Sequence, residues 1–421
     1  MDAASDIAVT RRPPERGAAS LQGQPHLMLR LAENALLVAE SLRDNYFRNT
    51  AGFVAVLRRA VERDRSAQPA DRVLSLTSVA DASWADHQGE LVTFIDGGIG
   101  RLEIASQAPI LLRVGSYCVR TGERRLAERE RFGYYPVILG DLEGGSKERR
   151  DFPDLVRIVA EALGGLVALE HNPDLRVLLF HGPLVYTAGG YSGHSPFTEA
   201  DVDRFLSHYA ADGQLGRALK DEFLQEAYLD VYPRMTSRAG EWVQKRLFEP
   251  LAWLAFLYRR MIATARGRTP TPIIAGAVER TQMREFSQKV LLERVFRGLR
   301  AKGNGDYFNA LFGRADLDSP TALLDRLRYT DNLLMAMLLR PGEVSEPWEI
   351  AKYAGLHRLD VSLPGESGTT AVDFGALEPG PLGFPRVRGA YLDVADNCEP
   401  IRVETFADLG DDQVGEATRR V

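Results

Sequence analysis

Hydrophobic and polar positions follow two different periods along this chain. Leucines recur at helical spacing between His26 and Tyr46, and a second helical pattern covers residues 52–63. The pattern then changes to short apolar runs that are rich in β-branched and aromatic residues, which is typical of strands. These runs predict strands at residues 91–98, 110–119 and 134–139.

A second change of period follows these strands. Residues 152–169 carry apolar positions on one side and predict an amphipathic helix. The next run, LRVLLFHGPL at 175–184, predicts a strand that is buried on both faces of a sheet. Three strands, a helix and a buried strand are the opening order of an RNase H-like domain, although other α/β folds begin in the same way.

The remainder of the chain predicts a mixture of helices and strands. The pattern is mainly helical at 198–267, which we interpret as a helical insertion, and a Gly/Pro-rich stretch at 364–385 predicts an exposed loop. Further elements are predicted as a strand at 271–280, helices at 284–300 and 319–339, and strands at 388–395 and 399–406. The predicted organisation is a disordered lead at 1–25, N-terminal helices at 26–70, and one α/β domain at 88–421.

Composition limits the class of protein. The chain has 421 residues, of which 45% are hydrophobic and 26% charged, as in ordinary globular proteins. The net charge of −6 does not by itself indicate nucleic-acid binding, although a locally basic surface remains compatible with it. Cys118 and Cys398 are far apart and outside any CxxC pattern, which argues against a thiolate zinc site and suits a reducing compartment.

The chain shows no sign of a membrane segment. Its N-terminus lacks an apolar stretch of secretory type, and the most apolar later run, residues 250–258, is far shorter than the roughly 20 residues that span a bilayer. We therefore expect a cytoplasmic protein. The absence of a Walker A loop and of a dinucleotide glycine fingerprint indicates that any ATP-driven motor is a partner.

Three side chains are candidates for holding a metal. Asp96 ends the first strand of the presumed sheet, where α/β sheets hold ligands, and the alternative is that Asp96-Gly97 is a hairpin turn. Glu161 lies on the helix between the strands, and the alternative is a surface ion pair with Arg157, four residues earlier. His181 ends the next buried strand, where it binds a metal or is a hydrogen-bonded structural residue.

Several segments in the same order resemble the NurA nuclease family. They are FIDGG, LLFHGPL, PIIAGAVER, YTDNLLMAMLLRPGEVSEP and GAYLDVADNCEPIRVETF, between residues 91 and 406. The resemblance implies an RNase H-like core with a mixed sheet, a toroidal homodimer, and manganese-dependent cleavage of single- and double-stranded DNA ends. It also implies a complex with a HerA-like hexameric ATPase that feeds duplex DNA to the nuclease, in end processing or antiphage defence.

The resemblance also assigns roles to individual residues. It makes Asp96 and Glu161 metal ligands, with His181 completing the catalytic set and Mn²⁺ as the metal, Mg²⁺ being possible. Arg101 and Arg402 are predicted to contact DNA. His194, in a glycine-rich loop, and Glu404, on a late strand, are further candidates near the site.

Two departures from the family pattern bear on activity. The second DG motif of many members reads His181-Gly182 here, and the C-terminal Tyr-Pro…Leu…Ala-His segment of the family is not found before Val421. Replacing a carboxylate by imidazole removes one negative charge, so a second metal should bind more weakly and Mn²⁺ should be preferred over Mg²⁺. We therefore expect reduced or one-metal catalysis.

Three hypotheses follow from these patterns. The first is a metal-dependent DNA nuclease that uses Asp96 and Glu161. The second is a catalytically inactive clamp that binds DNA and regulates a HerA-like ATPase, and the third is an RNase H-like enzyme acting on RNA or another phosphodiester. The leucine stripe formed by Leu27, Leu31 and Leu36 is a candidate partner surface, the alternative being packing on its own domain or on a dimer mate.

Overall fold

The computed structural model describes most of the chain. The described residues are 25–41, 43, 48–64, 73–79, 84–101, 110–139, 146–184, 217–223, 250–279, 281–350, 358–362, 369–373, 385–396 and 398–421. They belong to two compact units, of which the first comprises Met1–Ser75 and Ser287–Tyr329, and the second Leu76–Phe286 and Thr330–Val421. The first unit thus combines the N-terminal helices with a later segment that the sequence pattern assigned to the α/β domain.

Helices and strands alternate along most of the described chain. The helices are α1 (Pro25–Ser41), α2 (Arg48–Asp64), α3 (Leu126–Arg129), α4 (Ser146–His171), α5 (Pro250–Arg266), α6 (Glu293–Ala301), α7 (Tyr307–Phe312), α8 (Pro320–Leu327), α9 (Asp331–Leu338) and α10 (Gln413–Arg420). The strands are β1 (Leu76–Ser78), β2 (Leu91–Arg101), β3 (Ile110–Arg120), β4 (Glu130–Leu139), β5 (Leu175–His181), β6 (Ile273–Val278), β7 (Glu343–Ser345), β8 (Trp348–Glu349), β9 (Arg358–Ser362), β10 (Thr369–Asp373), β11 (Val387–Leu392) and β12 (Ile401–Phe406). Short 3₁₀ turns lie at Trp84–His87 and Ala407–Leu409, and a π-helical turn lies at Ser287–Leu292.

The first unit has an aromatic core. Phe53 of α2 is fully buried, and its ring centroid lies 5.6 Å from that of Phe308 and 5.5 Å from that of Tyr329. The Tyr329 hydroxyl is 2.6 Å from that of Thr50, which satisfies a polar group inside this core. Helix α1 differs from α2, because Leu31 and Leu36 are 49% and 63% exposed.

The second unit is built on a mixed sheet of 10 strands. The strand order is β1-β7-β11-β12-β6-β5-β2-β3-β4, with β8 paired to β11 at the side. Strands β2, β5 and β6 are parallel neighbours, and the remaining pairings of this sheet are antiparallel. The three antiparallel strands β2–β4, followed by helix α4 and the parallel strand β5, have the order that the sequence predicted.

The central strands are apolar because helices cover both of their faces. One face packs against α4, where Gly165 leaves room for the Phe180 ring. On the other face, Val177 and Leu179 of β5 form a core cluster with Ala417 of α10. Helix α4 in turn packs against α5. This double coverage explains why LRVLLFHGPL is nearly continuously hydrophobic.

Several predicted elements differ from the observed ones. The helix predicted at 319–339 is two helices, because Arg328 adopts a left-handed conformation with φ 56° and Thr330 caps a new helix start. The loop predicted at 364–385 contains strand β10, which pairs with β9. The helix predicted at 284–300 contains the π-helical turn. Of the predicted helical insertion, the structure describes a short helical segment at 217–223 and helix α5.

Among the described residues, no helix combines the length and apolar character that crossing a membrane requires.

Candidate functional site

Asp96 lies where the parallel pairing of two central strands stops. Strand β2 pairs with β5 as far as Ile95, which lies opposite Phe180, and then continues to Arg101 beside β3 alone. Asp96-Gly97 is therefore strand backbone, and neither the strand end nor the hairpin turn expected from the sequence. The Asp96 side chain is 66% exposed. Its antiparallel neighbour is Gly115, which adds no side chain beside the carboxylate.

His181 contacts Asp96 directly at this position. It is the last residue of β5, and its Nδ1 atom lies 3.2 Å from Oδ1 of Asp96. Its Nε2 atom lies 3.9 Å from Oε1 of Glu279, the residue after β6. The sequence analysis missed Glu279, although this residue also follows a buried strand and so carried the same signal as His181.

Glu161 belongs to helix α4, which covers the face of the sheet opposite to the Asp96 side chain. From that face it approaches Gly97. The side chain is 5% exposed, although the sequence alternative was a surface ion pair. The pair with Arg157 is present, and the Arg157 guanidinium donates to Oε1 of Glu161. A Cβ atom at Gly97 would lie 2.5 Å from Oε1 of Glu161, so this glycine is needed for the close approach of the carboxylate.

The surroundings of Glu161 bring its pKa close to neutral pH. Burial raises the pKa of Glu161 from 4.5 to about 7, against the lowering effects of the Arg157 charge and hydrogen bond. The negative charge of Asp96 contributes to this raised pKa, so the two carboxylates interact electrostatically. Burial also raises the pKa of Tyr258, and the charges of Glu161 and Glu404 add to this effect.

Arg402 and Glu404 form a buried ion pair on β12. Their side chains are 2% and 0% exposed, and Nε of Arg402 lies 2.7 Å from Oε1 of Glu404. The Arg402 guanidinium also donates to the Thr281 hydroxyl at 2.9 Å. This burial argues against direct contact of Arg402 with DNA, which the sequence resemblance implied. Arg402 instead compensates the charge of Glu404 inside the protein.

Glu404 fixes the segment that follows His181. The backbone N–H of Leu184 donates to Oε2 of Glu404 at 2.7 Å, and the N–H of Gly182 donates to the Ala277 carbonyl at 2.8 Å. A Cβ atom at Gly276 would lie 2.6 Å from the Gly182 carbonyl oxygen. Strands β6 and β12 therefore hold this segment closely, which restricts where His181 can lie.

A cleft of about 560 Å³ opens beside Asp96 and His181. Val177 and Leu179 line it from β5, and Arg419 and Arg420 line it from helix α10. Arg420 also contacts Glu90 at 3.4 Å, and Arg419 and Arg420 both pair with Glu416, so acidic side chains compensate the charge of these arginines. A cleft of this size can hold a nucleotide-sized ligand.

The structure describes Arg101, His194 and two further charged residues, Arg113 and Glu170, to different extents. Arg101 is the last residue of β2, but its side chain lies outside the described residues, as does the whole of His194. Arg113 was not singled out in the sequence, yet its side chain lies over Gly98, since a Cβ atom there would be 3.1 Å from Nε of Arg113. Glu170 accepts a hydrogen bond from Thr264 at 2.8 Å and so belongs to the contact between α4 and α5.

The donor groups suit a divalent metal with much of its coordination supplied by water. Among the described residues, no three His, Cys, Asp or Glu side chains surround a common point closely enough to enclose a metal ion. Asp96 and His181 are nevertheless in contact, and carboxylate oxygen with imidazole nitrogen is a donor set that Mn²⁺ accepts. Hard cations such as Mg²⁺ are commonly held by one or two carboxylates and several waters.

Comparison with known proteins gives matches among solved structures only. No protein-family model and no curated protein matches the chain. The NurA nuclease from Sulfolobus solfataricus is 11% identical with a TM-score of 0.42, over 91% of this chain and 84% of that one. A NurA structure with manganese is 11% identical, with a TM-score of 0.35 over 87% and 89% of the two chains.

A NurA structure bound to dAMP and manganese is also similar, at 8% identity. Its TM-score is 0.31, and the match covers 92% of this chain and 87% of that one.

Proposed function

We propose that this chain is a metal-dependent DNA nuclease of the NurA type. The observation that carries the proposal is that His181, at the end of β5, lies beside Asp96 of β2 and beside Glu279, the residue after β6, these being neighbouring parallel strands. Ligands of open α/β sheets bind beyond the carboxyl ends of such strands. Three of the family segments identified in the sequence, FIDGG, LLFHGPL and PIIAGAVER, contribute these three residues.

The proposed metal is Mn²⁺, held by Asp96 and His181, with Glu279 as a further acidic group nearby. Glu161, on the opposite face of β2, interacts with Asp96 through its charge. When bound, such a cation lowers the pKa of its water and stabilises the charge that develops on the phosphate. The residues of the chain orient it, because the contact between Asp96 and Nδ1 of His181 restrains the imidazole ring. Arg113 carries a positive charge to the position two residues along β2, where a phosphate is one possible partner.

The wider assembly belongs to the same proposal. An RNase H-like core is supported by the order of β2–β4, α4 and β5, and a homodimer and a HerA-like ATPase are proposed partners. The exposed leucines of α1, Leu31 and Leu36, support a protein contact at this helix. The proposed role is processing of DNA ends, in repair or antiphage defence.

A second function has its own structural support. Arg157 donates a hydrogen bond to one carboxylate oxygen of Glu161. In addition, the part of the chain that the structure describes holds no cluster of three metal-ligating side chains. Together with histidine at position 181, these features favour a catalytically inactive clamp that binds DNA and regulates a HerA-like ATPase. The clamp would bind DNA ends equally well with and without a divalent metal.

The deciding experiment is cleavage of end-labelled linear DNA by the purified protein with Mn²⁺, Mg²⁺ or EDTA. We expect cleavage with Mn²⁺, slower cleavage with Mg²⁺ because His181 replaces a carboxylate, and none with EDTA. Asp96→Asn should abolish cleavage without loss of folded structure, since its side chain is 66% exposed. Removing a metal ligand commonly costs several powers of ten in rate, here about 10²-fold or more.

A matched control tests whether the loss of cleavage is specific to Asp96. Asp411→Asn removes another acidic side chain, which is 82% exposed and pairs with Arg388. We expect this variant to cleave at the parent rate. Cleavage that persists in Asp96→Asn would contradict the assignment, and DNA binding without cleavage under every metal, with or without a HerA-type partner, would favour the clamp.

A further inference from the structure

Three aromatic side chains lie in register across the strands beside the candidate site. Phe94 of β2 is paired with Tyr117 of β3, and Tyr117 is paired with Phe132 of β4. The ring centroids of Phe94 and Tyr117 are 6.2 Å apart with planes at 29°, and those of Tyr117 and Phe132 are 4.5 Å apart with planes at 31°. We call these three residues the aromatic ladder.

Two rings of the aromatic ladder are more exposed than packing among the described residues explains. Phe132 is 77% exposed and Phe94 is 43% exposed, whereas Leu112 and Val114, on the opposite face of β3, are 2% and 0% exposed. Strand β4 is also an edge of the sheet. An exposed aromatic ring on an edge strand, such as Phe132, favours aggregation, so its presence on this face indicates a ligand.

The aromatic ladder leads directly to the candidate catalytic residues. Phe94 and Asp96 are two residues apart on one strand and therefore point to the same face. Phe94 also lines the cleft that Asp96, His181, Arg419 and Arg420 line. The surface thus passes from aromatic rings to acidic groups, with basic side chains along the cleft.

This combination of groups fits an unpaired nucleic-acid strand better than a protein surface. Bases stack on aromatic rings in proteins that bind single strands, while basic groups contact the phosphates. Sheets that display aromatic residues on neighbouring strands stack about two or three bases in this way. An aliphatic protein partner would need neither ring planes at small angles nor continuity with Asp96.

We propose that the aromatic ladder stacks about two or three unpaired bases of a single-stranded DNA end and holds that end beside Asp96 and His181. This inference rests on the proposed function for the identity of the nucleic acid. It adds a binding surface that the sequence motifs do not contain, because Tyr117 and Phe132 lie outside the segments that resemble the NurA family.

The test is the affinity of the protein for a labelled single-stranded oligonucleotide, measured by fluorescence anisotropy in EDTA so that no cleavage occurs. Phe132→Ala should weaken binding roughly tenfold or more, since stacking of one base contributes about that much. Phe132→Trp should retain the affinity, and Phe132→Leu should lose it, because leucine supplies apolar area without a ring. Binding to a blunt duplex should stay within about twofold for all three variants.

The control is Leu126→Ala, which removes another exposed apolar side chain, 63% exposed, from the helix preceding β4. It should leave single-strand affinity unchanged. Equal affinity of Phe132→Ala and the parent protein would overturn the proposal, as would full affinity of Phe132→Leu. A change in mass from dimer to monomer in Phe132→Ala, with unchanged single-strand affinity, would instead assign the face to a contact between two copies.

Parallel cleavage assays with Mn²⁺ separate this inference from the proposed function. Loss of single-strand affinity in Phe132→Ala, in a protein that cleaves no DNA, would support the aromatic ladder and contradict the nuclease. Cleavage that depends on Asp96, with single-strand affinity unaffected by Phe132→Ala, would support the nuclease and overturn the aromatic ladder.

Discussion

Gly97 and Glu161 show how one small residue admits a buried carboxylate to the candidate site. The carboxylate reaches the strand backbone because position 97 has no side chain, and Arg157 partly compensates its charge. The charge of Asp96 contributes to the raised pKa of Glu161, although the two residues belong to elements far apart in the sequence. The glycine of the DG pair is therefore a packing requirement.

Gly97→Ala tests this packing requirement. A Cβ atom would lie 2.5 Å from Oε1 and 2.9 Å from Cγ of Glu161, and 3.0 Å from Cγ of Arg157. Because all three atoms would have to move, we expect a loss of about 1–3 kcal/mol in the free energy of unfolding and loss of cleavage. The measurements are urea unfolding and the cleavage assay.

Gly115→Ala is the matched control for the fold, since the nearest atom to its Cβ would be the Asp96 carbonyl oxygen at 3.8 Å. It should unfold at the same urea concentration as the parent, within error. Unchanged stability and activity in Gly97→Ala would show that Glu161 can leave its position without consequence.

Glu161→Gln tests the raised pKa in metal-free protein. Between pH 4.5 and about 7 the folded protein keeps a proton on Glu161 that the unfolded chain has released. The free energy of unfolding should therefore fall as pH rises through this window, by up to about 3 kcal/mol. Glu161→Gln removes the titrating group, so its free energy of unfolding should lack this fall with pH. The free energy of unfolding of the variant, relative to that of the parent, should reach its highest value above about pH 7.

The measurement is the free energy of unfolding of parent and variant in EDTA across this pH range. Arg157, Asp96 and Tyr258 are the groups that interact electrostatically with Glu161, and they are the same in both proteins. Their common contributions therefore cancel when the two pH profiles are subtracted. Parallel profiles for the two proteins would mean that Glu161 titrates as in the unfolded chain.

At the scale of elements, strands β6 and β12 together hold the segment after β5. Glu404 accepts the Leu184 N–H, Arg402 compensates Glu404, and Ala277 accepts the Gly182 N–H. Strand β12 comes more than 200 residues after β5 in the chain, and the contact from Leu184 to Glu404 spans 220 residues. The position of His181 therefore depends on the completed sheet.

Paired substitutions on β12 separate stability from positioning. Glu404→Leu leaves Arg402 buried without its partner and should cost about 3–5 kcal/mol in stability. The double variant Arg402→Met with Glu404→Leu removes both charges and should recover most of that stability. It should still cleave DNA poorly, because the Leu184 N–H has lost its acceptor.

The measurements are urea unfolding and cleavage rates of Glu404→Leu and of the double variant, each compared with the parent protein. Recovery of both stability and cleavage in the double variant would show that the ion pair acts only on folding.

At the scale of the whole molecule, the acidic net charge confines DNA binding to a local surface. The chain carries 52 basic and 58 acidic side chains, so long-range attraction to DNA is absent. On the described part of the candidate surface, the basic side chains are few, chiefly Arg113, Arg419 and Arg420. The affinity for single-stranded DNA should therefore depend only moderately on salt.

We predict that the logarithm of the single-strand binding constant falls with the logarithm of salt concentration with a slope of about −1 to −3. This corresponds to about 0.7 per phosphate contacted by a small number of cations. Anisotropy titrations at several salt concentrations provide the measurement. A slope steeper than about −5 would indicate an extensive basic surface, and would place most of the binding energy outside the candidate site.

The sequence alone determined the elements whose patterns are local. The run around Leu178 predicted its strand because a strand buried on both faces must be apolar along its length. The run around Ile95 predicted its strand through its β-branched and aromatic residues. The amphipathic period likewise predicted α4, which is 26 residues long. Asp96, Glu161 and His181 could be named as candidates because carboxylates and imidazole suit a metal and lie on or between predicted strands. The sequence left a turn, an ion pair and a structural hydrogen bond as the alternatives at these positions.

Only the tertiary structure decided which of these residues meet and which are withdrawn from solvent. Arg402 and Glu404 have charged side chains that the sequence alone places on a surface, but neighbouring strands bury them as a pair. Phe94, Tyr117 and Phe132 form a ladder only when β2, β3 and β4 pair in one register. The physical reason is that burial and contact depend on distant segments, which local hydrophobic periodicity does not report.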